Sequence, residues 1–224
     1  MLQFLKEYQL TESFIVDASN AASWPLDVLK PLVRTHESFV AGGYFKDLFS
    51  SPPKDPRDID VYFYNQESFD LMYDKFNASP VYKKKHRGTN AIAYEHIPTG
   101  HSIDLVTSIF GKPQEVLRSF DFTITKCALV QKFGEFHLLM HDQFMDHVNN
   151  KVLTTDAYID VGVDLTFEDL NITAVKDIDC NKLFNRMIKY TLYGYKPSHE
   201  LKTQLFRSIK VQKIDTITPV ITEY

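Results

Sequence analysis

Only two cysteines, Cys127 and Cys180, occur in 224 residues, so the sequence has neither a disulfide framework nor a Cys-based metal spacing. Both read as buried small apolar residues, and a reducing cytoplasm is the expected setting. Nowhere do roughly 20 apolar residues run uninterrupted, which excludes a membrane-spanning helix. The opening "MLQFLKEYQLTESF" lacks the basic start, apolar centre and small-residue cleavage site of a secretory signal. A cytoplasmic protein without a membrane partner is therefore expected. Net positive charge is missing as well: the formal charge is −4, so the surface as a whole does not grip nucleic acid and any polyanion contact must be local. The one dense basic run, "KKKHR" from Lys83 to Arg87, admits two readings, a solvated hairpin edge or a phosphate-facing strand. Internal repeats and low-complexity tracts are absent.

What is present is an ordinary globular composition, 44% apolar and 24% charged, in a chain long enough for one substantial core with a small appendage. The expected boundaries are 1–160 for the main domain and 161–224 for a small helical region. Residues 1–37 carry helical apolar spacing broken at Pro25 and Pro31, which predicts two or three short helices, "PLDVLKPLVRT" among them. "SFVAG" reads as a buried strand, a glycine pair turns the chain, and "YFKDLFS" has helical spacing. After the proline-rich loop "SPPKDPR", "DIDVYFYN" alternates so that Asp58, Asp60 and Tyr62 share one face and Ile59, Val61 and Phe63 the core face. "QESFDLMYDKF" predicts an amphipathic helix, and "AIAYEHI" and "HSIDLVTS" two strands joined by a turn. "KPQEVLRSF" predicts a helix. "DFTITKCALVQKFGEFHLLM" reads as a helix or strand followed by a hairpin turning at Gly134, and "HDQFMDHVNNKV" as a short helix. From about residue 165 the pattern turns helical, with Leu183, Phe184, Met187, Ile188 and Leu192 lining one side of the strongest segment; the final "KVQKIDTITPVITEY" reads as partly mobile.

Two carboxylates one residue apart on a strand lie on one face about 6 to 7 Å apart at the backbone, close enough to ligate one divalent cation or bridge two. A third on a neighbouring strand completes the oxygen-rich donor set that Mg²⁺ or Mn²⁺ prefers, and Asp104 in "SIDLV" is placed for it by its apolar flanks. Metals so held stabilise the attacking and leaving oxygens of a phosphoryl displacement. Gly42 and Gly43 let the backbone approach a triphosphate closely.

The run "FVAGGYFKDLF…RDIDVYF…SIDLVT" resembles the nucleotidyltransferase superfamily of DNA polymerase beta, whose pattern is an apolar residue, a glycine pair, a helix, Asp-x-Asp and a third acid. A narrower likeness is to the head domain of the tRNA CCA-adding and poly(A) polymerase branch. "HRGTNAIAY" looks like its Gly-Thr strand, "LRSFDFTITKCAL" like its Arg-Arg-Asp-Phe-Thr-Ile-Asn-Ala segment, and "NRMIKYTLYGY" like its arginine-rich helix. The paired arginines are replaced by Ser119 and Phe120, the asparagine by Thr125, and Leu183 stands where an earlier arginine would fall. The resemblance implies an α+β fold, a mixed β-sheet flanked by helices with a small helical C-terminal part. It implies transfer of a nucleoside monophosphate from a nucleoside triphosphate such as ATP to a hydroxyl, with pyrophosphate released. Asp58, Asp60 and Asp104 would be catalytic and metal-binding. Gly42, Gly43, Lys46, Arg87, Arg118, Asp121, Arg186 and Lys189 would bind nucleotide.

For Lys46, Arg87 and Arg118 the alternative is plain surface solvation, and for Asp121 it is capping of the segment "FTITKCA". His137, His141 and His147 read as surface or packing histidines rather than ligands, and Tyr62 and Tyr64 as shields of the site from water. The acceptor expected from the resemblance is an RNA 3′ end, tRNA-like. A small molecule or a protein hydroxyl is the alternative, and a nucleotide-binding regulatory module without chemistry is the rival.

Overall fold

The computed structural model describes residues 5–9, 26–52, 54, 56, 58–156 and 180–211. Predicted helices over residues 10–25 and 165–179, the tail after Val211 and the side chain of Cys180 lie outside the described residues. The chain divides into two compact units, Met1–Val152 and Leu153–Tyr224.

The first unit is built on a mixed eight-stranded sheet. Its strands are β1 (Leu5–Gln9), β2 (Ser38–Ala41), β3 (Asp58–Phe63), β4 (Tyr82–Arg87), β5 (Ala91–His96), β6 (His101–Phe110), β7 (Cys127–Lys132) and β8 (Glu135–His141), in the spatial order β1-β8-β7-β2-β3-β6-β5-β4. All pairings are antiparallel except β3 with β6, which run parallel. The helices are α1 (Leu26–Leu29), continued by a 3₁₀ turn at Lys30–Leu32, then α2 (Gly43–Leu48), α3 (Gln66–Ala78), α4 (Pro113–Arg118) and α5 (Phe144–Asn149). This is the expected α+β arrangement of a mixed sheet flanked by helices.

Alternation divides the strand residues as predicted. Ile59, Val61 and Phe63 are fully buried, and α3 covers that face: Phe63 meets Phe69 edge-on at 5.3 Å, and Phe76 meets Tyr94 at 5.1 Å. Asn65 starts α3 by accepting from the Ser68 amide, so one free N–H of the first turn is satisfied. Truncation of Phe63 to alanine is expected to cost about 3–5 kcal/mol in urea unfolding, since close-packed neighbours cannot collapse into the void.

The opposite face has a core of its own, and here the structure corrects the role expected of the tyrosines. Tyr62 is buried in a cluster with Phe39, Ala41, Val106, Val116, Leu117, Ala128, Val130 and Leu139, onto which Tyr64 and Phe120 pack. Tyr62 stacks on Phe39 at 5.8 Å and Tyr64 meets Phe39 edge-on, so both are packing residues roofed by α4.

Two further expectations are corrected. Leu5–Gln9 is a strand on the sheet edge, tied by Lys132 Nζ and His137 Nδ1 to the Glu7 carboxylate at 2.5 and 3.2 Å, not part of a helix. "FTITKCA" opens not as an α-helix but as a single 3₁₀ turn, Thr123–Thr125, before β7, with Phe122 at its N-cap position. His147, read as a surface or packing histidine, does pack: its Nδ1 bonds Thr123 Oγ1 at 2.8 Å inside the core.

The second unit contains α6 (Cys180–Leu192) and α7 (His199–Val211). Leu183 and Tyr190 turn inward with Tyr195, Leu201 and Leu205. Phe184, Ile188 and Leu192, expected on the packed side, are exposed. Helical spacing gives a stripe its period; which edge of that stripe meets a neighbour is set by packing.

Candidate functional site

The three aspartates stand on adjacent strands of one face. Asp60 on β3 and Asp104 on β6 are direct register partners, and Asp58 is opposite Ser102. Neighbouring strands lie about 4.8 Å apart, so the Asp60 and Asp104 carboxylates start as near neighbours. Asp58 is exposed, Asp60 and Asp104 half-buried. Burial raises the Asp104 carboxyl above the ordinary carboxylate range, the negative charge of Asp58 adds to this, and His86 opposes it. Asp104 Oδ1 is buried without a hydrogen-bond partner.

An oxygen-only donor set on one wet face, with one carboxylate oxygen left unsatisfied, has the chemistry of a site for a hard divalent cation. Among the described residues, no three His, Cys, Asp or Glu side chains are drawn together tightly enough to hold an ion. The face carries the donors without gathering them on one point. Asp58, Asp60 and Asp104 therefore fit Mg²⁺ or Mn²⁺ by donor type and by the orphaned oxygen, and a bound ion would require their side chains to draw in.

Gly42 closes this floor. It lies between β2 and α2 at φ 102° and ψ −148°, a backbone conformation almost restricted to glycine. A β-carbon there would stand 3.3 Å from Asp60 Oδ2 and 3.9 Å from Phe120 Cε2. The Gly42 N–H donates to the Cys127 carbonyl at 3.0 Å, so what Gly42 offers a ligand is space. Gly43 has ordinary φ, with Lys46 Cε as its nearest neighbour at 3.9 Å.

The other expected residues are distributed unevenly. Lys46 is buried, and its Nζ donates to Asp47 Oδ2 at 2.6 Å; that ion pair competes with the triphosphate contact expected of it. Arg87 is in register with Ile92, which puts it on the face covered by α3, where its charge is felt by Tyr73. This corrects its expected place at the nucleotide: the strand bulges between Lys84 and His86, and the extra residue shifts the alternation. Arg118 ends α4, the helix that roofs the carboxylate face, and is exposed; Asp121 follows it, half-buried. Arg186 and Lys189 are exposed on α6 of the second unit.

Two residues of this face were not expected. His86 pairs with Ala93, which pairs with Asp104, which pairs with Asp60, so one row crosses four strands. Only pairing register and the bulge reveal this. Phe120 packs on Tyr62 at 5.6 Å beside Gly42. Its signal was visible as an aromatic residue where the resembled family has arginine.

Residues 5–151 match the model of the family described as Gabija anti-defense 2 family protein. Among solved structures, a Thermotoga maritima CCA-adding enzyme complexed with tRNA superposes with a TM-score of 0.61 at 15% identity, over 93% of this chain and 46% of that one. A CCA-adding enzyme complexed with ATP gives 0.62 at 16% identity, over 93% and 46%. One complexed with CTP gives 0.59 at 15%, over 93% and 47%. The chain thus spans about half the length of these enzymes, and the likeness shows a nucleotidyltransferase-like fold. No curated protein matches the sequence. No helix among the described residues is long and apolar enough to cross a membrane.

Proposed function

The chain belongs to the Gabija anti-defense 2 family, and we propose that it acts as a divalent-metal-dependent nucleotidyltransferase. The observation that carries this reading is the register pairing of Asp60 with Asp104 beside Asp58, with Asp104 Oδ1 left without a partner. Three like charges on one face repel unless something neutralises them. Asp58, Asp60 and Asp104 would hold Mg²⁺ or Mn²⁺, and the ion supplies charge neutralisation at the transferring phosphoryl group.

This chain's own residues do the rest. The space at Gly42 and Gly43 admits the triphosphate close to Asp60, and Arg118 and Asp121 are assigned to the nucleotide from the family-like motifs they occupy. Asp104, whose carboxyl is raised by burial above its ordinary value, would take the proton of the acceptor hydroxyl. The hydroxyl oxygen bonds to the α-phosphorus, the bond from that phosphorus to the bridging oxygen breaks, and pyrophosphate leaves.

The acceptor proposed first is an RNA 3′ end, supported by the fold shared with a CCA-adding enzyme complexed with tRNA. The anti-defense description of the family favours a second acceptor, a hydroxyl on a protein of the Gabija system. Incubation with each α-labelled nucleoside triphosphate and Mg²⁺ or Mn²⁺, with total RNA or with lysate of Gabija-bearing cells, separates them. Nuclease-sensitive label supports the first and protease-sensitive label the second. No labelled product under any condition overturns transfer and leaves a nucleotide-binding module.

A further inference from the structure

The carboxylate face changes sign from one side to the other. Asp58, Asp60 and Asp104 occupy β3 and β6; across β5 the pairing continues through Ala93 and Glu95, and it ends on β4 at His86 and Lys83. Ala93, small and buried, keeps the floor low between Asp104 and His86. β4 is the outermost strand of the sheet among the described residues, and its five residues from Lys83 to Arg87 are all exposed.

The bulge between Lys84 and His86 sorts these cations. Lys84 belongs to the α3 face, where its Nζ donates to the Tyr73 hydroxyl at 2.8 Å and lies 4.8 Å above that ring. Arg87 follows it there. Lys83, Lys85 and His86 address the carboxylate face: Lys85 is ion-paired with Glu95, and Lys83 stands directly opposite Glu95. Bulges recur beside active sites because they re-aim side chains in this way. Lysines that merely protect an edge from pairing need no such sorting. Two strand spacings separate β4 from β6, about 10 Å.

We infer that β4 is the acceptor-binding strand: Lys83, Lys85 and His86 hold the phosphates of a single-stranded nucleic acid whose 3′ hydroxyl reaches Asp104. This rests on the RNA reading above and adds where the acceptor lies. Glu95 then acts as an internal competitor for Lys85.

The test is binding of an end-labelled single-stranded RNA oligonucleotide to the full chain at graded salt, without nucleotide, so that it does not depend on transfer. Lys83→Ala with Lys85→Ala is expected to weaken binding about tenfold or more and to flatten the salt slope by between about one and two. Glu95→Gln, which frees Lys85, is expected to tighten binding severalfold, a gain that a structural role would not produce. Lys6→Ala on the opposite edge strand removes the same kind of exposed charge and is expected to leave affinity unchanged. Equal losses in the Lys6 variant, or wild-type affinity in the β4 variant, would overturn the assignment, as would a Glu95→Gln variant that binds no better. Loss of RNA binding in the β4 variant of a protein that transfers no label sinks the transfer reading and leaves the nucleic-acid track standing.

Discussion

Replacement of Asp104 by asparagine is expected to lower nucleotide transfer about 10³-fold while leaving the fold at least as stable as the parent. On the proposed reading, the variant would lose a metal-binding oxygen and the proton acceptor together, each on the scale of a single preorganised electrostatic group. The stability result follows from the sign of the carboxyl's shift. Burial first, and Asp58 second, raise the Asp104 carboxyl above its ordinary value, so the folded chain binds that proton more tightly than the unfolded one. The stability due to this group is present below the unfolded pKa and is lost as pH rises through the raised folded value. Thermal unfolding in the presence of chelator should therefore find the variant more stable than the parent at neutral pH, with the difference closing below about pH 4. A parent more stable than the variant at neutral pH would mean that Asp104 is satisfied by something other than a cation.

Gly42→Ala is expected to do the reverse, damaging fold and activity together. Its φ of 102° costs a side-chain-bearing residue about 1–3 kcal/mol, and its β-carbon would sit 3.3 Å from Asp60 Oδ2. Relief of that contact moves Asp60 or the turn, and displacement of a reacting group by about 1 Å costs about 10²-fold. Gly43→Ala is the control, because it has ordinary φ and nothing nearer than 3.9 Å; it should unfold like the parent. Denaturant unfolding of the two variants side by side checks this. Equal stability of Gly42→Ala and Gly43→Ala would remove the strain from the explanation.

Much of this architecture is legible in the sequence because alternation is a local rule. "DIDVYF" names its own faces, and the structure buries Ile59, Val61 and Phe63 while leaving Asp58 wet. The hairpin at Gly134 and the edge reading of "KKKHR" follow from equally local signals. What alternation cannot give is register between strands far apart in the chain. Leu5–Gln9 becomes a strand only because Glu135–His141 is there to pair with it, and five residues mixing apolar and charged types carry no period strong enough to say so. The place of His86 depends on a bulge that resets the alternation of β4, and Arg87 moves to the other face for the same reason. Lys46 shows a different limit: a lysine in a short helix reads as a cation seeking phosphate, whereas burial and the adjacent Asp47 determine what it meets. The family-like motifs carry a fold across 15% identity, but Phe120 beside Gly42 in place of an arginine shows that the lining of the site is this chain's own.

The most direct measurement is the paired loss of binding and transfer in Asp58→Ala with Asp60→Ala. Titration of nucleoside triphosphate with and without Mg²⁺, and label transfer under the same conditions, should show Mg²⁺-dependent binding and product formation in the parent and neither in the double variant, with far-ultraviolet circular dichroism unchanged. Undiminished transfer by the double variant would contradict the assignment of these carboxylates as the catalytic centre.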